Sequence, residues 1–500
     1  MNFAMTKIIS SNIIFLAIAV LATLNTFAHD FEANGIYYNK ISSTEVEVTY
    51  KGMFSMSFDN EYAELVEIPN AINHNGIIYN VIGIGPEAFF RCANLASIII
   101  PNSITYIGNG AFRNCSSLTD VTIPNSVSTI GPRAFQGCKK LTSITIPCST
   151  IFIEASLFED CDNLSSIVIP NTILSIGDCA FKNCTSLTSI IIPSSVSLIG
   201  KQIFYGCNSL TTIDVEVANK SYSSIDGVLF NHNKTELHVF PSGKTADYVI
   251  PNSVALISDY AFYNCIELTS VMIPNSVTNI GNYAFNGCSK LTSIYIPNSV
   301  SFIGKHVFES ANGCLTSIDV DYLNTFYSSI DGVLFNKDGT ELIMYPNGRI
   351  GDYAIPNTVS SICSEAFIWC KGLTSLILPN SVKSIYNYAF NHCDNLTQIT
   401  IFSTIPPTAY PHSFDSEIYK ITTLSVPNES LAVYHSAPIW CNFTKLTSRI
   451  YNNTIDNVNE VFEIWTIAGV KIQVGKRIED LLPGIYLIKQ GNAMEKVIVK

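Results

Sequence analysis

One 23-residue phrase recurs along most of the chain and constrains its fold more than any other feature. The phrase reads IP-N-S-V-x-x-I-G-x-x-A-F-x-x-C-x-x-L-T-S-I-x-I, and its proline falls at Pro101, Pro124, Pro147, Pro170, Pro193, Pro251, Pro274, Pro297, Pro356 and Pro379. Within each of the three blocks that these prolines form, the step is always 23 residues. A fixed period of about 20–29 residues with leucine or isoleucine at set offsets is typical of a solenoid of stacked coils. Because each coil of a solenoid touches only its neighbours, the sequence predicts a long binding surface rather than a single deep pocket.

Each phrase divides into a strand and a segment that turns the chain. The stretch L-T-S-I-x-I alternates in polarity, so it predicts a short strand in which Val121 and Ile123 point inward while Asp120 and Thr122 point outward. The proline ends the strand, and N-S-V-x-x-I-G turns the corner. The glycine of this segment is expected either to adopt a positive φ or to let neighbouring coils approach closely. Other residues hold its slot in four coils: Glu154, Ser258, Cys363 and Tyr386.

Two further positions of the phrase predict the core. The phenylalanine recurs at Phe89, Phe112, Phe135, Phe158, Phe181, Phe204, Phe262, Phe285, Phe308, Phe367 and Phe390, and ten of the 15 cysteines follow it by three residues. Because each phenylalanine lies within an apolar phrase, the spacing predicts a stacked aromatic core rather than an aromatic ligand platform. The cysteines at one repeated position are expected to be buried free thiols. Disulfides between adjacent coils are the alternative, since the expected Cα separation would allow them.

Two insertions interrupt the array, at about residues 216–248 and 321–353, and they resemble each other. Tyr222–Phe230 and Tyr327–Phe335 both read YSSIDGVLF, and each is followed by a polar turn and a second apolar stretch. The pattern predicts a β-hairpin that projects from one edge of the solenoid.

The two ends of the chain lack the phrase. Residues 1–28 hold one early lysine, an apolar run too short to span a membrane and a small-residue cleavage site, so they predict an export signal peptide. Residues 29–80 and 406–450 are predicted to cap the open ends of the solenoid core at 81–405. Residues 451–500 contain three or four alternating stretches separated by glycine turns, which predict a small C-terminal β-sandwich. The predicted fold is therefore mainly β.

Composition and motif spacing exclude several classes of function. The net charge is −12 and no basic cluster occurs, so nucleic-acid binding is not predicted. The eight histidines are scattered, and HExxH, CxxC, GxSxG and P-loop spacings do not occur. We therefore predict no catalytic residue, no metal site and no cofactor, and hence no enzyme.

The outward positions of the predicted strands are the candidate binding surface, here called the outer row. It comprises Ile99, Thr122, Thr145, Val168, Ile191, Asp214, Met272, Tyr295, Asp319, Ile377 and Thr400. Solvated strand positions rarely need isoleucine, methionine and tyrosine, which favours a partner surface. An inert face is the alternative, because β-branched residues favour strands in any case. The row would span on the order of 50 Å at the usual strand spacing, which suits an extended protein or glycan.

The phrase IPNSVxxIGxxAFxxCxxLTSI resembles the BspA-like leucine-rich repeats of bacterial and some protozoan surface proteins, over roughly residues 64–405. The resemblance implies a leucine-rich repeat solenoid at the cell surface that adheres to host or microbial macromolecules. A structural or scaffold protein of the bacterial cell envelope is the alternative function. The tail, with Ala468–Lys471, Leu482–Tyr486 and the closing KVIVK, looks like a C-terminal sorting domain of the type IX secretion route of Bacteroidetes. That second resemblance implies an interaction of residues 451–500 with secretion machinery.

Overall fold

A computed structural model describes residues 29–52, 60–245 and 247–449, together with four strands of the C-terminal region. The predicted signal peptide at 1–28 lies outside the described residues. Contacts divide the chain into two compact units, residues 1–426 with 430–447 and residues 427–429 with 448–500. No helix in the described part of the chain is both long and apolar enough to cross a membrane.

Each coil of the solenoid contributes one strand to a parallel sheet, here called the strand face. Its strands are β4 (Glu64–Glu67), β7 (Leu95–Ile99), β9 (Asp120–Thr122), β11 (Ser143–Thr145), β13 (Ser166–Val168), β15 (Ser189–Ile192), β17 (Thr212–Val215), β21 (Tyr248–Val249), β23 (Val271–Met272), β25 (Ser293–Ile296), β27 (Ser317–Val320), β31 (Gly351–Ala354), β33 (Leu373–Leu378), β35 (Gln398–Ile401) and β37 (Thr423–Pro427). Equivalent repeat positions pair across this face, as Ile191 does with Asp214 and Tyr295 with Asp319. The hydrogen bonds divide this face into several short sheets, and within each of them one residue type per repeat position becomes a row of neighbours.

The turning segments form a second, narrower parallel ladder, here called the corner sheet. Its strands are β3 (Glu45–Thr49), β6 (Ile77–Ile84), β8 (Tyr106–Ile107), β10 (Thr129–Ile130), β12 (Phe152–Ile153), β14 (Ser175–Ile176), β16 (Leu198–Ile199), β22 (Leu256–Ile257), β24 (Asn279–Ile280), β26 (Phe302–Ile303), β32 (Ser361–Ile362), β34 (Ser384–Ile385) and β36 (Thr408–Ala409). The repeated isoleucine of each pair packs into the core, while the residue before it faces outward, as in Thr129 and Ile130. The phrase thus folds into mainly β coils of 23 residues, as predicted.

The third side of each coil, here called the turn side, is held by backbone hydrogen bonds between coils. The Phe112 N–H donates to the Ala134 carbonyl at 2.8 Å, and the same bond recurs from coil to coil. Two residues of a typical coil, four positions apart, adopt left-handed backbone, such as Ser156 at φ 55° and Asp160 at φ 60°. Side chains of several types therefore occupy a conformation that usually favours glycine or asparagine.

The phrase glycines are required for close approach and not for a positive φ. A Cβ at Gly108 would lie 2.5 Å from the backbone nitrogen of Pro86 in the preceding coil. Ser258 and Cys363 hold the same slot in the first coil after each insertion, where the neighbour is a hairpin strand instead of another phrase coil. The Ser258 N–H, for example, donates to the Leu237 carbonyl at 3.0 Å. Glu154 and Tyr386 hold the slot after a phrase coil, so glycine meets the close approach in most coils and other residues hold the slot in four.

The core consists of stacked phenylalanines with the cysteines beside them. The rings of Phe89 and Phe112 lie 5.0 Å apart and nearly parallel, at 3°. All 15 cysteines are free thiols, and the ten phrase cysteines are buried, which confirms that prediction. The Cys138 thiol donates to the Phe112 carbonyl of the preceding coil at 3.2 Å, and the bond recurs along the array. The cysteine is thus a small core residue that also ties one coil to the next.

The two insertions form antiparallel hairpins, but they are built into the core and do not project from it. Their strands are β18 (Tyr222–Ile225), β19 (Val228–Asn231), β20 (Glu236–Val239), β28 (Tyr327–Ile330), β29 (Val333–Asn336) and β30 (Glu341–Met344). Val228, Leu229 and Phe230 are all fully buried. Leu229 packs into the core before the insertion, while Val228 and Phe230 pack into the core after it. Each hairpin therefore separates the cores of two blocks, because both faces of its central strand are apolar and each face packs against one core.

Each hairpin also continues the surrounding sheet and aromatic ladder. Strand β20 pairs in parallel with β22 of the corner sheet, and Phe240 stacks on Phe262 at 5.0 Å. At the second insertion, Tyr345 stacks on Phe367 at 5.1 Å in the same way. Each hairpin thus begins the corner sheet and the aromatic ladder of the block that follows it.

Aromatic residues close the two ends of the core. The N-terminal strands β1 (Phe31–Ala33), β2 (Ile36–Lys40) and β5 (Ala71–His74) extend the corner sheet, and the Tyr62 ring lies 4.7 Å from Phe89. At the other end, helices α1 (Ile418–Ile421) and α2 (Leu431–Ser436), two short 3-10 helices (Asn428–Ser430 and Trp440–Asn442) and β38 (Lys445–Arg449) follow the last coil. Phe414 stacks on Phe390 at 5.0 Å, and buried Trp440 meets Phe414 edge-on at 5.5 Å. These aromatic rings shield the ends of the ladder from solvent.

The C-terminal unit contains strands β39 (Glu463–Thr466), β40 (Lys471–Ile472), β41 (Gly484–Gln490) and β42 (Ala493–Val499). They pair antiparallel in the order β40-β39-β41-β42. The described strands of this unit form one four-stranded sheet.

Candidate binding surface

Nine of the eleven residues of the outer row are exposed on the strand face. The largest apolar members are Val168 at 74%, Ile191 at 58%, Met272 at 63% and Tyr295 at 50% exposure. Side chains alternate between the two faces of a strand, so the residues next to the outer row, such as Ile294, are buried. Five further members, Ile99, Thr122, Thr145, Asp214 and Asp319, are also exposed.

Two members of the outer row were predicted wrongly as open surface. Thr400 is only 3% exposed, and Ile377 is half-buried. Thr400 pairs with Ile377 on one side and Ser425 on the other, and the Gln398 amide approaches its hydroxyl at 3.5 Å. In the C-terminal block the cap strand β37 extends the sheet, and the outer-row position next to it is buried.

One residue of the surface was missed by the sequence analysis. Val249 pairs with Met272 on the strand face and is 63% exposed. It follows the first insertion, where the phrase is incomplete, so no repeat position identified it. Val249 and Met272 are exposed neighbours in one sheet, and Tyr295 and Asp319 are paired neighbours in the next sheet along the solenoid.

This part of the strand face combines apolar side chains with serines and has the carboxylates Asp319 and Asp321 at one end. Ser270 and Ser293 precede Met272 and Tyr295 by two residues each, and both serines are exposed. Desolvation, followed by the nearby Asp321, raises the pKa of Tyr295, so its hydroxyl stays protonated at neutral pH. The surface thus offers apolar contact area with a neutral hydroxyl at its edge.

A cavity of about 380 Å³ lies at the first insertion. Glu236, His238, Ser258, Tyr260 and Tyr263 are among its lining residues. The Ser258 hydroxyl donates to a Glu236 carboxylate oxygen at 2.7 Å, and His238 Nδ1 lies 3.4 Å from the same hydroxyl. Burial lowers the pKa of His238, although Glu236 opposes this. The serine proton is directed to the carboxylate and not to the imidazole, so this arrangement does not activate a serine nucleophile.

The corresponding place at the second insertion brings together His306, Glu309 and Glu365. His306 Nδ1 lies 2.7 Å from a Glu309 oxygen and 2.8 Å from a Glu365 oxygen. In the described part of the chain these three form the one group of histidine, cysteine or carboxylate side chains with the geometry of a metal site. Desolvation raises the pKa of Glu309 to about 7, with Glu365 acting in the same direction and His306 against it. Sequence spacing gave no sign of this cluster, because the second hairpin separates Glu365 from the other two residues.

Comparison with known families identifies the repeats. A family profile described as "BspA type leucine rich repeat region" matches in six copies, over residues 29–165, 82–211, 151–246, 233–348 and 341–463. A search of curated proteins finds no match.

Solved structures similar to this chain include three bacterial proteins. A leucine-rich cell surface protein from Faecalibacterium prausnitzii is 26% identical, over 74% of this chain and 94% of that chain, with a TM-score of 0.49. The pneumococcal vaccine antigen PcpA is 21% identical, over 84% of this chain and 98% of that chain, with a TM-score of 0.49. A leucine-rich repeat protein from Eubacterium ventriosum is 22% identical, over 80% and 92%, with a TM-score of 0.44.

Proposed function

Because the chain belongs to the BspA-type leucine-rich repeat family, we propose that it is an exported cell-surface protein that adheres to host or microbial macromolecules through its strand face. The export pattern of residues 1–28 and the scarcity of catalytic arrangements both support this function. Its ligand is an extended extracellular protein, with a glycan as the less favoured class. A protein ligand is favoured because the most exposed members of the row, such as Val168 and Met272, are apolar.

The observation that carries the proposal is the group of exposed apolar residues Val249, Met272 and Tyr295 along the strand face. An extended ligand crossing these strands would bury side chains that are half or more exposed in the free protein. Complete burial of such a side chain is worth about 1.5–3 kcal/mol, so burying the exposed parts of Met272 and Tyr295 contributes roughly 2 kcal/mol. That energy corresponds to roughly 30-fold in Kd.

The test is binding of the full-length chain to immobilised host matrix proteins and to isolated bacterial envelope. A Met272→Ser/Tyr295→Ser variant is expected to bind the host protein roughly 30-fold more weakly. A matched control exists on the corner sheet, where Leu198 and Phe302 are 63% and 49% exposed. The Leu198→Ser/Phe302→Ser variant is expected to bind like the unmodified chain, because it removes similar apolar area from another face.

Each outcome separates the possible functions. Saturable binding to a host protein that only the strand-face variant weakens supports adhesion through this surface. Retention by bacterial envelope alone would favour the scaffold function instead. Equal loss in the two double variants would contradict the assignment of the strand face.

We further propose that residues 451–500 direct the chain to the type IX secretion machinery. The support is the sequence pattern of Ala468–Lys471 and Leu482–Tyr486. A reporter fused to residues 451–500 should reach the surface of a bacterium that has this route and remain inside a mutant that lacks it. Equal surface display in both strains would contradict the proposal.

A further inference from the structure

The strongest unexplained feature of the molecule is the cluster at the second insertion. His306 and Glu309 belong to the last coil before the hairpin, and Glu365 belongs to the first coil after it. His306 and Glu365 occupy the same slot of successive coils and share left-handed backbone, at φ 56° and 63°. Stacking of the hairpin strand between the two blocks therefore brings side chains from distant segments onto one part of the turn side.

The position of the imidazole is fixed independently of the two carboxylates. The His306 ring stacks on Tyr283 with centroids 4.6 Å apart and planes at 12°. The Asn286 amide also donates to the His306 backbone carbonyl at 3.1 Å. Both contacts hold Nδ1 toward Glu309 and Glu365, so a ligand of this cluster would meet an ordered donor set.

The two carboxylates of the cluster need a compensating proton or cation. The Glu309 and Glu365 side chains are only 12% and 24% exposed, and both lie against the same His306 nitrogen. Within the described residues, neither carboxylate has an ion pair with lysine or arginine. With a neutral imidazole, two ionised carboxylates would place two partly buried negative charges together, which is costly unless a proton or a cation compensates them. One divalent cation would balance them completely.

We propose that His306, Glu309 and Glu365 form a binding site for a divalent transition-metal ion, with Zn²⁺ as the representative ligand. The three donor atoms all lie within 4.8 Å of one another. Zinc bonds of about 2.0–2.2 Å in tetrahedral geometry place donors roughly 3.4 Å apart, so each carboxylate oxygen would move away from His306 Nδ1 by roughly 0.6–0.7 Å. Water would occupy the fourth position. The imidazole nitrogen favours Zn²⁺ over Ca²⁺, which prefers oxygen ligands alone.

The first insertion provides an internal comparison. At the equivalent positions it has Gln202, Tyr205 and Tyr260, which offer no such donor set. Gln202 adopts φ 55°, so glutamine is compatible with the backbone that His306 adopts. His306→Gln therefore removes the nitrogen ligand while retaining a residue that the fold already accepts.

The test is calorimetric titration of the full-length chain with Zn²⁺ at pH 7.5 after dialysis against a chelator. We expect a site that His306→Gln and Glu365→Gln each weaken by more than about 100-fold, because even loss of an outer-sphere partner weakens metal binding by about 10–100-fold. His412→Gln is the matched control, since His412 stacks on Tyr388 at 5.5 Å much as His306 stacks on Tyr283. It should leave the zinc affinity unchanged.

A second measurement distinguishes loss of the site from loss of the fold. Zinc should raise the Tm of the unmodified chain and of His412→Gln, but not that of His306→Gln. In chelator, all three proteins should have closely similar Tm values. Zinc binding that survives both ligand substitutions would overturn the proposal, as would equal affinity for Ca²⁺ or equal loss in His412→Gln.

Discussion

Replacing one phenylalanine of the central ladder should destabilise the chain strongly. Phe135 is fully buried, with the Phe112 ring at 5.2 Å on one side and the Phe158 ring at 6.0 Å on the other. Truncation of a buried phenylalanine to alanine usually costs about 3–5 kcal/mol. Here the cavity has little freedom to collapse, because Phe135 N–H remains bonded to the Leu157 carbonyl at 3.1 Å. We therefore expect Phe135→Ala to lower the free energy of unfolding by about 4–5 kcal/mol.

Denaturant unfolding would measure the loss in free energy, and hydrogen exchange would show where along the chain protection is lost. In a solenoid, stability depends on each coil and its immediate neighbours, so lost protection should concentrate around residues 112–158 and spare the third block. Exchange measurements also remain interpretable if the long array does not unfold in a single step. The matched control is Phe302→Ala, because Phe302 is 49% exposed on the corner sheet. That change should cost less than about 1 kcal/mol.

The reasoning would be refuted by either of two results. A loss below about 1 kcal/mol for Phe135→Ala would mean that the ladder is not a close-packed core. An equal loss for Phe302→Ala would mean that burial in the ladder does not determine the cost.

Four further predictions follow from the same structure. Gly108→Ala should cost about 1–3 kcal/mol in denaturant unfolding, because its Cβ would clash with the preceding backbone, whereas Gly110→Ser should be tolerated, since other coils place serine or arginine in that left-handed slot. Asn324→Ala should cost at least about 3 kcal/mol, because this buried amide donates to two carbonyls and accepts from two backbone N–H groups; retention of the full Tm would contradict it. A thiol reagent should titrate the three exposed cysteines quickly and all 15 only after unfolding, while fewer than 15 in denaturant would indicate disulfides. In chelator, the unfolding free energy should fall by about 1–3 kcal/mol as the pH rises from 4.5 to 7, because the pKa of Glu309 is about 7 when folded and its ordinary value is 4.5; an unchanged slope in Glu309→Gln would exclude this group as the cause.

The repeat made the fold predictable, because one phrase specifies one coil many times over. The alternation of Val121 and Ile123 with Asp120 and Thr122 correctly predicted the inward and outward faces of the strand. The phrase cysteines were also predicted correctly as buried free thiols. A pattern that recurs at fixed offsets reports burial reliably, since every copy must satisfy the same packing.

The predictions failed where the repeat is interrupted. The hairpins were expected to project, yet Val228 and Phe230 are buried because both faces of β19 meet a core. Thr400 was expected to be exposed, but it is buried in the sheet that the cap strand β37 extends, a region where the phrase has ended. The cluster of His306 with Glu365 was missed for a similar reason, since it depends on how a hairpin stacks between two blocks.

The most direct test of the proposed binding surface is oxidative footprinting of the full-length chain with and without its captured ligand. Met272 and Tyr295 are oxidisable, exposed and on the strand face, whereas Phe302 is equally exposed on the corner sheet. We predict that ligand binding slows oxidation of Met272 and Tyr295 severalfold and leaves Phe302 unchanged. Protection of Phe302 with unchanged oxidation of Met272 and Tyr295 would contradict a strand-face binding site.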